Sequence, residues 1–297
     1  MIYTVTLNPS LDYHLYTERL TLGGTNRAAR EDLTFGGKGI NVSVILTRLG
    51  IPNVALGFVA GFTGDELCRR LTDAGLTHDM IRLEQGMTRI NVKLHAAAET
   101  EINAAGPAVT AEAMEILMRK LETLCRGDTL VLSGSIPPSW PRETYATVMT
   151  RLTGKGIRCV VDAEGEALAA TLPHRPFLIK PNRRELSALA GRELTEREDI
   201  VTAARDLQAR GAQNVLVSLG GDGAILLTEE GGCYTADALG SRPVNTVGAG
   251  DSMVAGFLVG FPEGYESALR MGLAAGGATA CTEGLGTREE ILSIYRG

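Results

Sequence analysis

The chain has 297 residues, 44% of them hydrophobic and 22% charged, which suits one large α/β domain with a small appendage and argues against global disorder. Its 29 Lys and Arg against 35 Asp and Glu give a net charge of -6. This charge offers no diffuse positive field for nucleic acid or an anionic membrane, so an anionic ligand needs a local site.

The N-terminal segment 1–13 has no basic region, and Asp12 interrupts its apolar stretch, so neither a signal peptide nor a transit peptide fits. No apolar run reaches the roughly 18 residues of a membrane span. The five cysteines are far apart and form no CxxC pair, which predicts reduced thiols rather than disulfides or zinc ligands. We therefore expect a cytoplasmic protein.

Short β-branched runs followed by helical patterns recur along most of the chain. A helix at 38–49 ends at Gly50, a residue type that readily adopts the left-handed conformation of a helix C-terminus. The later strand and helix pairs are 129–132 with 142–152, 157–162 with 164–170, and 177–180 with 183–190. This alternation predicts a central, mostly parallel sheet flanked by helices.

Two stretches, 12–32 and 88–104, break this alternation because polar and apolar residues alternate in them without helical periodicity. From Ile90 to Leu94 every second residue is apolar, while Arg89 begins the opposite, polar face. The two stretches can pair into a small sheet over the main domain. Such a sheet is either a lid or an ordinary edge hairpin.

The segment Asn245-Thr246-Val247-Gly248-Ala249-Gly250-Asp251 comes before an apolar helix predicted at 252–261. Its glycine turn would lie at a helix N-terminus, where exposed amides and the positive end of the helix dipole bind phosphate. A carboxylate beside phosphate repels it, so Asp251 needs a reason to be there. It is either a base that deprotonates an attacking hydroxyl or a residue that caps the helix.

A second glycine cluster, Gly36-Gly37-Lys38-Gly39-Ile40-Asn41, leads into the helix at 38–49. No Ser or Thr follows the lysine, so the cluster is not a Walker A loop. It forms either a phosphate-binding turn or a tight turn with an exposed lysine.

Together, the two glycine motifs resemble the paired signatures of the ribokinase-like, phosphofructokinase-B sugar kinases, and the resemblance extends over nearly the whole chain. Further matching segments are 6–12, 133–138, 180–186 and 217–224. The segments 88–94 and 183–185 are most similar to the hexose-phosphate branch of that family. Asn245 stands where many ribokinase-like members have Asp, which refines the expected substrate without changing the expected kinase activity.

The resemblance implies roles for several residues around a sugar phosphate. Asp12 and Asn41 are expected to hold sugar hydroxyls. Gly37, in the same glycine cluster as Asn41, is also expected to contact the substrate. The substrate's existing phosphate is expected to bind cations, namely Arg27, Lys38 and Arg89. Both arginines fall on the strands of the predicted small sheet, where the alternative is that they are simply solvated.

A second group of residues is implied for the nucleotide. Lys180, Asn182 and Glu185 resemble the segment that lines the ATP phosphates, with Asn182 and Glu185 acting on Mg²⁺ through water. From its pattern alone Glu185 is a solvated helix residue. The resemblance also implies a turn beside the nucleotide that contains Ser218, Gly220 and Gly223. A plain hairpin turn explains the two glycines equally well.

We therefore predict a single ribokinase-like α/β kinase domain over 1–297, with the lid segments 12–32 and 88–104 inserted in it. The expected activity is ATP- and Mg²⁺-dependent phosphorylation of fructose 1-phosphate, with Asp251 as base and Gly248, Ala249 and Gly250 around the transferred group. The alternatives are a kinase for tagatose 6-phosphate or fructose 6-phosphate, and a catalytically silent sugar-phosphate sensor. Homodimerisation through the lid is expected from its exposed strand edges.

Overall fold

The computed structural model describes residues 1–240 and 243–296, in which two β-sheets form and helices pack around the larger one. The strands are β1 (Ile2–Thr6), β2 (Ser10–Tyr16), β3 (Arg30–Gly36), β4 (Asn53–Ala60), β5 (His78–Leu83), β6 (Arg89–His95), β7 (Thr100–Ile102), β8 (Thr129–Ser133), β9 (Arg158–Asp162), β10 (Leu178–Ile179), β11 (Asn214–Ser218), β12 (Ala224–Leu227) and β13 (Cys233–Ala236). The α-helices are α1 (Lys38–Arg48), α2 (Gly61–Asp73), α3 (Ala111–Glu122), α4 (Thr144–Arg151), α5 (Gly165–Ala169), α6 (Arg183–Ala190), α7 (Arg197–Ala209), α8 (Ala249–Gly260), α9 (Tyr265–Ala280) and α10 (Arg288–Arg296). No helix in this part of the chain is long and apolar enough to cross a membrane.

The larger sheet has the strand order β13-β12-β11-β10-β9-β8-β1-β4-β5. From β11 to β5 all neighbouring strands run parallel, and β12 and β13 extend the sheet in antiparallel pairs. Parallel strands need helical crossovers that cover both faces, which is why strands such as β8 are buried along their whole length. The predicted mostly parallel sheet flanked by helices is confirmed.

Two layers of helices fill the two faces of this sheet. Successive side chains of a strand point to opposite faces. Accordingly, Leu130 of β8 packs in the core cluster that includes α3, α4 and α7, while Val131 packs in the cluster that includes α1, α8 and α9. The layer that contains α1, α8 and α9 matters for the site because it fixes the N-termini of α1 and α8 against the same edge of the sheet.

The carboxyl ends of the parallel strands meet at that edge. Ser133 ends β8 and is paired with Asp162, which ends β9. Thr6 ends β1, and Lys180 directly follows β10. In open parallel sheets ligands bind outside the carboxyl ends of the strands, so the polar residues collected here mark the functional edge.

The smaller sheet has the order β3-β2-β6-β7, with β2 parallel to β6 and antiparallel to β3. The register pairs Asp12 with Asn91, which places polar side chains on one face. On the other face Leu11 is buried among residues of α1 and α2, and Phe35 packs against the same cluster. The β2 and β3 strands are joined by residues 17–29. Arg27 lies in this exposed connection, so the expectation that it falls on a strand is wrong.

Candidate active site

A cavity of about 1740 Å³ lies between the carboxyl edge of the larger sheet and the polar face of the smaller one. Asp12 and Arg89 line it from the small sheet, and Asp251 lines it from α8. The other sequence-predicted site residues in its wall are Gly37, Lys38, Asn41, Lys180, Asn182, Glu185, Ser218, Gly220, Gly248, Ala249 and Gly250. The fold thus brings together residues from both ends of the chain.

Two predicted site residues are not part of this wall. Arg27 is exposed on the connection 17–29. Gly223 has φ 88°, and an added Cβ there would collide with the Ala236 carbonyl oxygen. The structure therefore explains Gly223 by the turn between β11 and β12 and not by contact with the cavity.

The N-terminus of α8 is open toward the cavity. Its N-cap is Gly248, which has φ 80° and makes no side-chain capping hydrogen bond. This positive φ favours glycine, and an added Cβ on Gly248 would also lie 2.6 Å from a methyl carbon of Leu285, which would have to move. The first-turn amides of a helix have no acceptor within the helix, which makes this end of α8 suited to an anionic ligand, although the Ala249 amide also donates to the Thr246 carbonyl at 3.2 Å.

Asp251 is the third residue of α8 and not its N-cap, which removes capping as the reason for the carboxylate. The side chain is 5% exposed, and its Oδ2 accepts a hydrogen bond of 2.8 Å from Nδ2 of Asn41. Burial, together with repulsion from Asp162, raises the pKa of Asp251 to about 7, although Asn41, Lys38 and Lys180 oppose the shift. A carboxylate with this pKa can accept a proton at neutral pH.

The N-terminus of α1 converges on the same place. Gly37 caps it at φ 132°, and an added Cβ there would lie 2.7 Å from Cγ2 of Thr6. The amide of Ile40 donates to Oγ1 of Thr6 at 3.0 Å, so the end of β1 anchors the first turn of α1. Asn41, in the same turn, reaches Asp251. Two glycine-capped helix N-termini therefore face one cavity.

Asp162 forms ion pairs with two lysines close to these two helix N-termini. Its Oδ1 lies 3.4 Å from Nζ of Lys38 and 3.5 Å from Nζ of Lys180. Burial alone would raise the pKa of Asp162, but the two lysines lower it below its ordinary value. Sequence reasoning missed Asp162. The available signal was an acidic residue that ends the buried apolar strand β9 at the carboxyl edge of the sheet.

A hydrogen-bonded group occupies the small-sheet side of the cavity. Oδ1 of Asp12 accepts from Oγ of Ser10 at 2.7 Å and from Nδ2 of Asn91 at 2.8 Å. Arg89 donates from Nε to the Asn8 carbonyl at 3.1 Å and is partly buried. Burial lowers the pKa of Arg89, and the nearby Asp12 carboxylate opposes this shift. A cation therefore stands beside a carboxylate that can accept hydrogen bonds from hydroxyl groups.

At the other end of the cavity Asn182 and Glu185 form a capping box at the start of α6. The Asn182 side chain accepts from the Glu185 amide at 2.8 Å, and the Glu185 carboxylate accepts from the Asn182 amide at 2.9 Å. Glu185 is therefore a buried residue that takes part in the helix cap, and not a solvated helix residue. Ser218 is bridged to Asn182, which brings the turn containing Gly220 to the same wall.

This end of the cavity suits magnesium held mainly through water. Within residues 1–240 and 243–296, no group of three or more His, Cys, Asp or Glu residues is arranged to hold a metal ion. Mg²⁺ keeps several waters and binds substrate phosphates, so it requires few protein ligands. The capping box uses Oε2 of Glu185, and Oε1 is left outside it. The residues present fit a water-mediated ion.

Helix N-termini that face a cavity, paired lysines and a buried carboxylate with a raised pKa suit the transfer of a phosphoryl group to a hydroxyl. On a parallel α/β sheet they define a phosphotransferase. The chain belongs to the pfkB family of carbohydrate kinases, whose match covers residues 6–291. The family resemblance expected from the glycine motifs is confirmed.

Two curated relatives cover almost the whole chain. The 1-phosphofructokinase of Bacillus subtilis strain 168 is 44% identical over 296 residues, which are 99% of this chain and 97% of that protein. The D-tagatose-1-phosphate kinase of Bacillus licheniformis is 36% identical over 291 residues, which are 96% of this chain and 94% of that protein. These matches confirm the expectation of a carbohydrate kinase.

Solved structures agree. Phosphofructokinase-2 from Escherichia coli, in complex with substrates and products, superposes with a TM-score of 0.93 at 33% identity, covering 99% of this chain and 98% of that one. Ribokinase from Arabidopsis thaliana, complexed with ribose and ATP, shares the fold with a TM-score of 0.80 at 22% identity, covering 100% and 98% of the two chains. The predicted ribokinase-like fold is confirmed.

Proposed function

We propose that this protein transfers the γ-phosphoryl group of ATP to fructose 1-phosphate and forms fructose 1,6-bisphosphate. The observation that carries the proposal is the Asp251 carboxylate, which is buried at an open helix N-terminus with a pKa raised to about 7. A protein that only binds phosphate gains nothing from a negative charge there. The carboxylate therefore weighs against a catalytically silent sensor.

In the proposed reaction the C6 hydroxyl oxygen of the sugar bonds to the γ-phosphorus while the bond to the bridging oxygen of ADP breaks. The hydroxyl proton passes to Asp251, and the electron pair of the broken bond stays on ADP. Asn41 occupies Oδ2 of Asp251, which leaves Oδ1 to take the proton. The first-turn amides of α8 stabilise the charge on the transferred group.

Lys180 supports this assignment of the transferred group. A Cβ added to Gly250 would lie 3.0 Å from the Lys180 ammonium nitrogen, so that cation stands directly beside the glycine turn. Asn182 and Glu185 would hold Mg²⁺ through water at the same end. When bound, the ion neutralises charge on the ATP phosphates and orients them.

At the sugar end we assign the existing phosphate to Arg89 and the hydroxyls to Asp12 and Asn41. The ammonium group of Lys38 lies 3.4 Å from Asp162 at the carboxyl edge of the larger sheet, whereas Arg89 lies on the smaller sheet. Burial would lower the pKa of the Lys38 ammonium group, but Asp162 and Asp251, the next largest influences, raise it above its ordinary value. We therefore assign Lys38 to the transferred phosphoryl group and not to the substrate's own phosphate.

We also propose a homodimer formed through the smaller sheet. The apolar face that packs on α1 and α2 continues beyond them through Leu15 and Val92, and Ile102 at the edge is 58% exposed. Natural proteins usually cover or pair such edges. Since Arg27 lies outside the cavity of its own chain, it would reach a sugar phosphate only in the neighbouring subunit. ATP and sugar phosphates are cytoplasmic metabolites, so we place the enzyme in the cytoplasm.

A tagatose phosphate is the second candidate substrate. The relative from Bacillus licheniformis is a D-tagatose-1-phosphate kinase, and tagatose 1-phosphate differs from fructose 1-phosphate only in the configuration at C4. The relative from Bacillus subtilis is a 1-phosphofructokinase. Both names support a substrate phosphate on C1 and are less consistent with tagatose 6-phosphate or fructose 6-phosphate.

The proposal is tested by initial rates with ATP and Mg²⁺ on fructose 1-phosphate, fructose 6-phosphate, tagatose 1-phosphate and tagatose 6-phosphate. We expect the highest kcat/KM on fructose 1-phosphate and a 1,6-bisphosphate product by phosphorus NMR. A higher kcat/KM on another sugar phosphate would reassign the substrate. Binding of sugar phosphate without any turnover would support the sensor.

A further inference from the structure

Asp162 is a buried carboxylate to which the proposed reaction assigns no role. Its side chain is 1% exposed, and both ion pairs to Lys38 and Lys180 use the same oxygen, Oδ1. Burying an ion pair costs desolvation energy that an apolar group of similar volume would avoid. A carboxylate between two lysines is therefore a poor choice for stability alone.

The two lysines stand at the two helix N-termini that face the cavity. Lys38 is the first residue of α1, and the Lys180 ammonium lies beside Gly250 in the first turn of α8. Unpaired, two ammonium groups this close together would repel each other. One carboxylate oxygen between them holds both cations in place.

Lys38 and Lys180 depend on Asp162 to different extents. Lys38 has a second carboxylate, Glu164, 3.8 Å from its ammonium group. For Lys180, which is itself only 5% exposed, Asp162 is the one ion-pair partner found among the described residues. The position of Lys180 should therefore be the more sensitive to loss of Asp162.

We propose that Asp162 is a positioning residue that holds Lys180, and secondarily Lys38, against the helix N-termini so that both ammonium groups meet the transferred phosphoryl group. It acts through the lysines and not on the substrate. The inference rests on the proposed kinase function. It predicts that loss of Asp162 lowers kcat while the KM for the sugar phosphate, which binds at Arg89 and Asp12, changes little.

The test is a double-mutant cycle of Asp162→Asn and Lys180→Met, measured as kcat and KM for ATP and fructose 1-phosphate. We expect each single variant to lose about 10²- to 10³-fold in kcat, the order found when one charge-stabilising donor is removed. The double variant should lose little more than the worse single variant, because Asp162 acts mainly through the Lys180 ammonium group. Glu164→Gln is the matched control and should lose much less than Asp162→Asn.

Independent, multiplicative losses in the cycle would overturn the proposal. So would recovery of Asp162→Asn activity at raised Mg²⁺, which would make Asp162 a metal ligand. Asp162→Asn alone leaves an unbalanced positive charge; if this variant fails to fold, the double variant, which removes one charge of each sign, is compared with Lys180→Met. A similar kcat in the two proteins supports the proposal. A much lower kcat in the double variant overturns it. An inactive wild-type protein would contradict the proposed function and this inference together, whereas an active one with multiplicative losses contradicts only the inference.

Discussion

Asn41 donates a hydrogen bond of 2.8 Å to Asp251, although 210 positions separate the two residues in the chain. Each lies in the first turn of its helix, α1 or α8, so the bond ties together the two N-termini that face the cavity. The bond also favours the charged form of a carboxylate that burial would otherwise keep protonated. The proposed proton acceptor and both glycine turns are thereby held in one arrangement.

Asp251→Asn should reduce kcat by about 10²- to 10⁴-fold, the usual contribution of a positioned general base. The change is nearly isosteric, so the fold should persist, and ATP affinity should stay the same or rise because a negative charge beside phosphate is removed. Steady-state kinetics and calorimetric ATP titration measure both effects. Asp128→Asn, which alters a carboxylate outside the cavity, should keep wild-type kcat. Wild-type kcat in Asp251→Asn, with chemistry limiting the rate, would show that Asp251 is not the base.

The activity should depend on pH through Asp251. We expect kcat/KM to rise with pH and to level off above the pKa of the carboxyl, about 7. Asn41→Ala removes a hydrogen bond that lowers this pKa, so the acidic limb of its profile should move to higher pH. If the acidic limb of the Asn41→Ala profile moves to lower pH, or stays where it is in the wild type, another group controls the rate.

Stability should also report the buried carboxyl. The folded pKa of Asp251, about 7, is raised above its unfolded value, so protonation stabilises the folded state, and this stabilisation is lost as pH rises through about 7. Asp251→Asn lacks the charge. It should therefore be more stable than the wild type above that pH and lose its advantage as the pH falls to about 4, near the unfolded pKa. Denaturant unfolding at a series of pH values tests this, and equal stability under alkaline conditions would argue against a buried charge.

Arg89→Ala should weaken sugar-phosphate binding by about 1.5 to 3 kcal/mol, the cost of losing a charge-assisted hydrogen bond. ATP binding should change little, because Arg89 lies on the small sheet, away from α8. The Kd of each substrate is measured by calorimetry. Arg82→Ala, on β5 and outside the cavity wall, is the control and should bind both substrates normally. Unchanged sugar-phosphate affinity in Arg89→Ala would remove Arg89 from the site.

Sedimentation of the wild type should show a dimer, and Leu15→Glu should dissociate it by placing a charge on the apolar face of the small sheet. Ile116→Glu is the matched control, because Ile116 is 37% exposed on α3, away from that sheet. This variant should remain dimeric. A wild-type monomer with full activity would refute the arrangement.

The dimer makes a further prediction about Arg27. If Arg27 acts in the neighbouring subunit, mixing the weakly active variants Arg27→Ala and Asp251→Asn should restore activity. In a mixed dimer one site receives Arg27 from one chain and Asp251 from the other. Activity that stays at the average of the two variants after subunit exchange would place any role of Arg27 within its own chain.

Local chemistry made much of the fold predictable. The predicted helix 183–190 matches α6, and the predicted strand 129–132 differs from β8 by one residue. Hydrophobic periodicity depends only on neighbouring residues, so it predicts elements well. It predicts their ends less well. The helix expected to start at 252 starts at Ala249, because the glycine turn before Asp251 already contributes its first residues.

The sequence by itself determined the α/β class, both glycine turns and Asp251 as the candidate base, since these are short motifs whose chemistry lies within a few residues. Only the tertiary structure decided which distant groups meet. It placed Asp162 between Lys38 and Lys180 and joined Asn41 to Asp251, and it left Arg27 and Gly223 outside the cavity. The physical reason is strand order: which carboxyl ends become neighbours depends on packing across the whole sheet, and no local pattern contains that information.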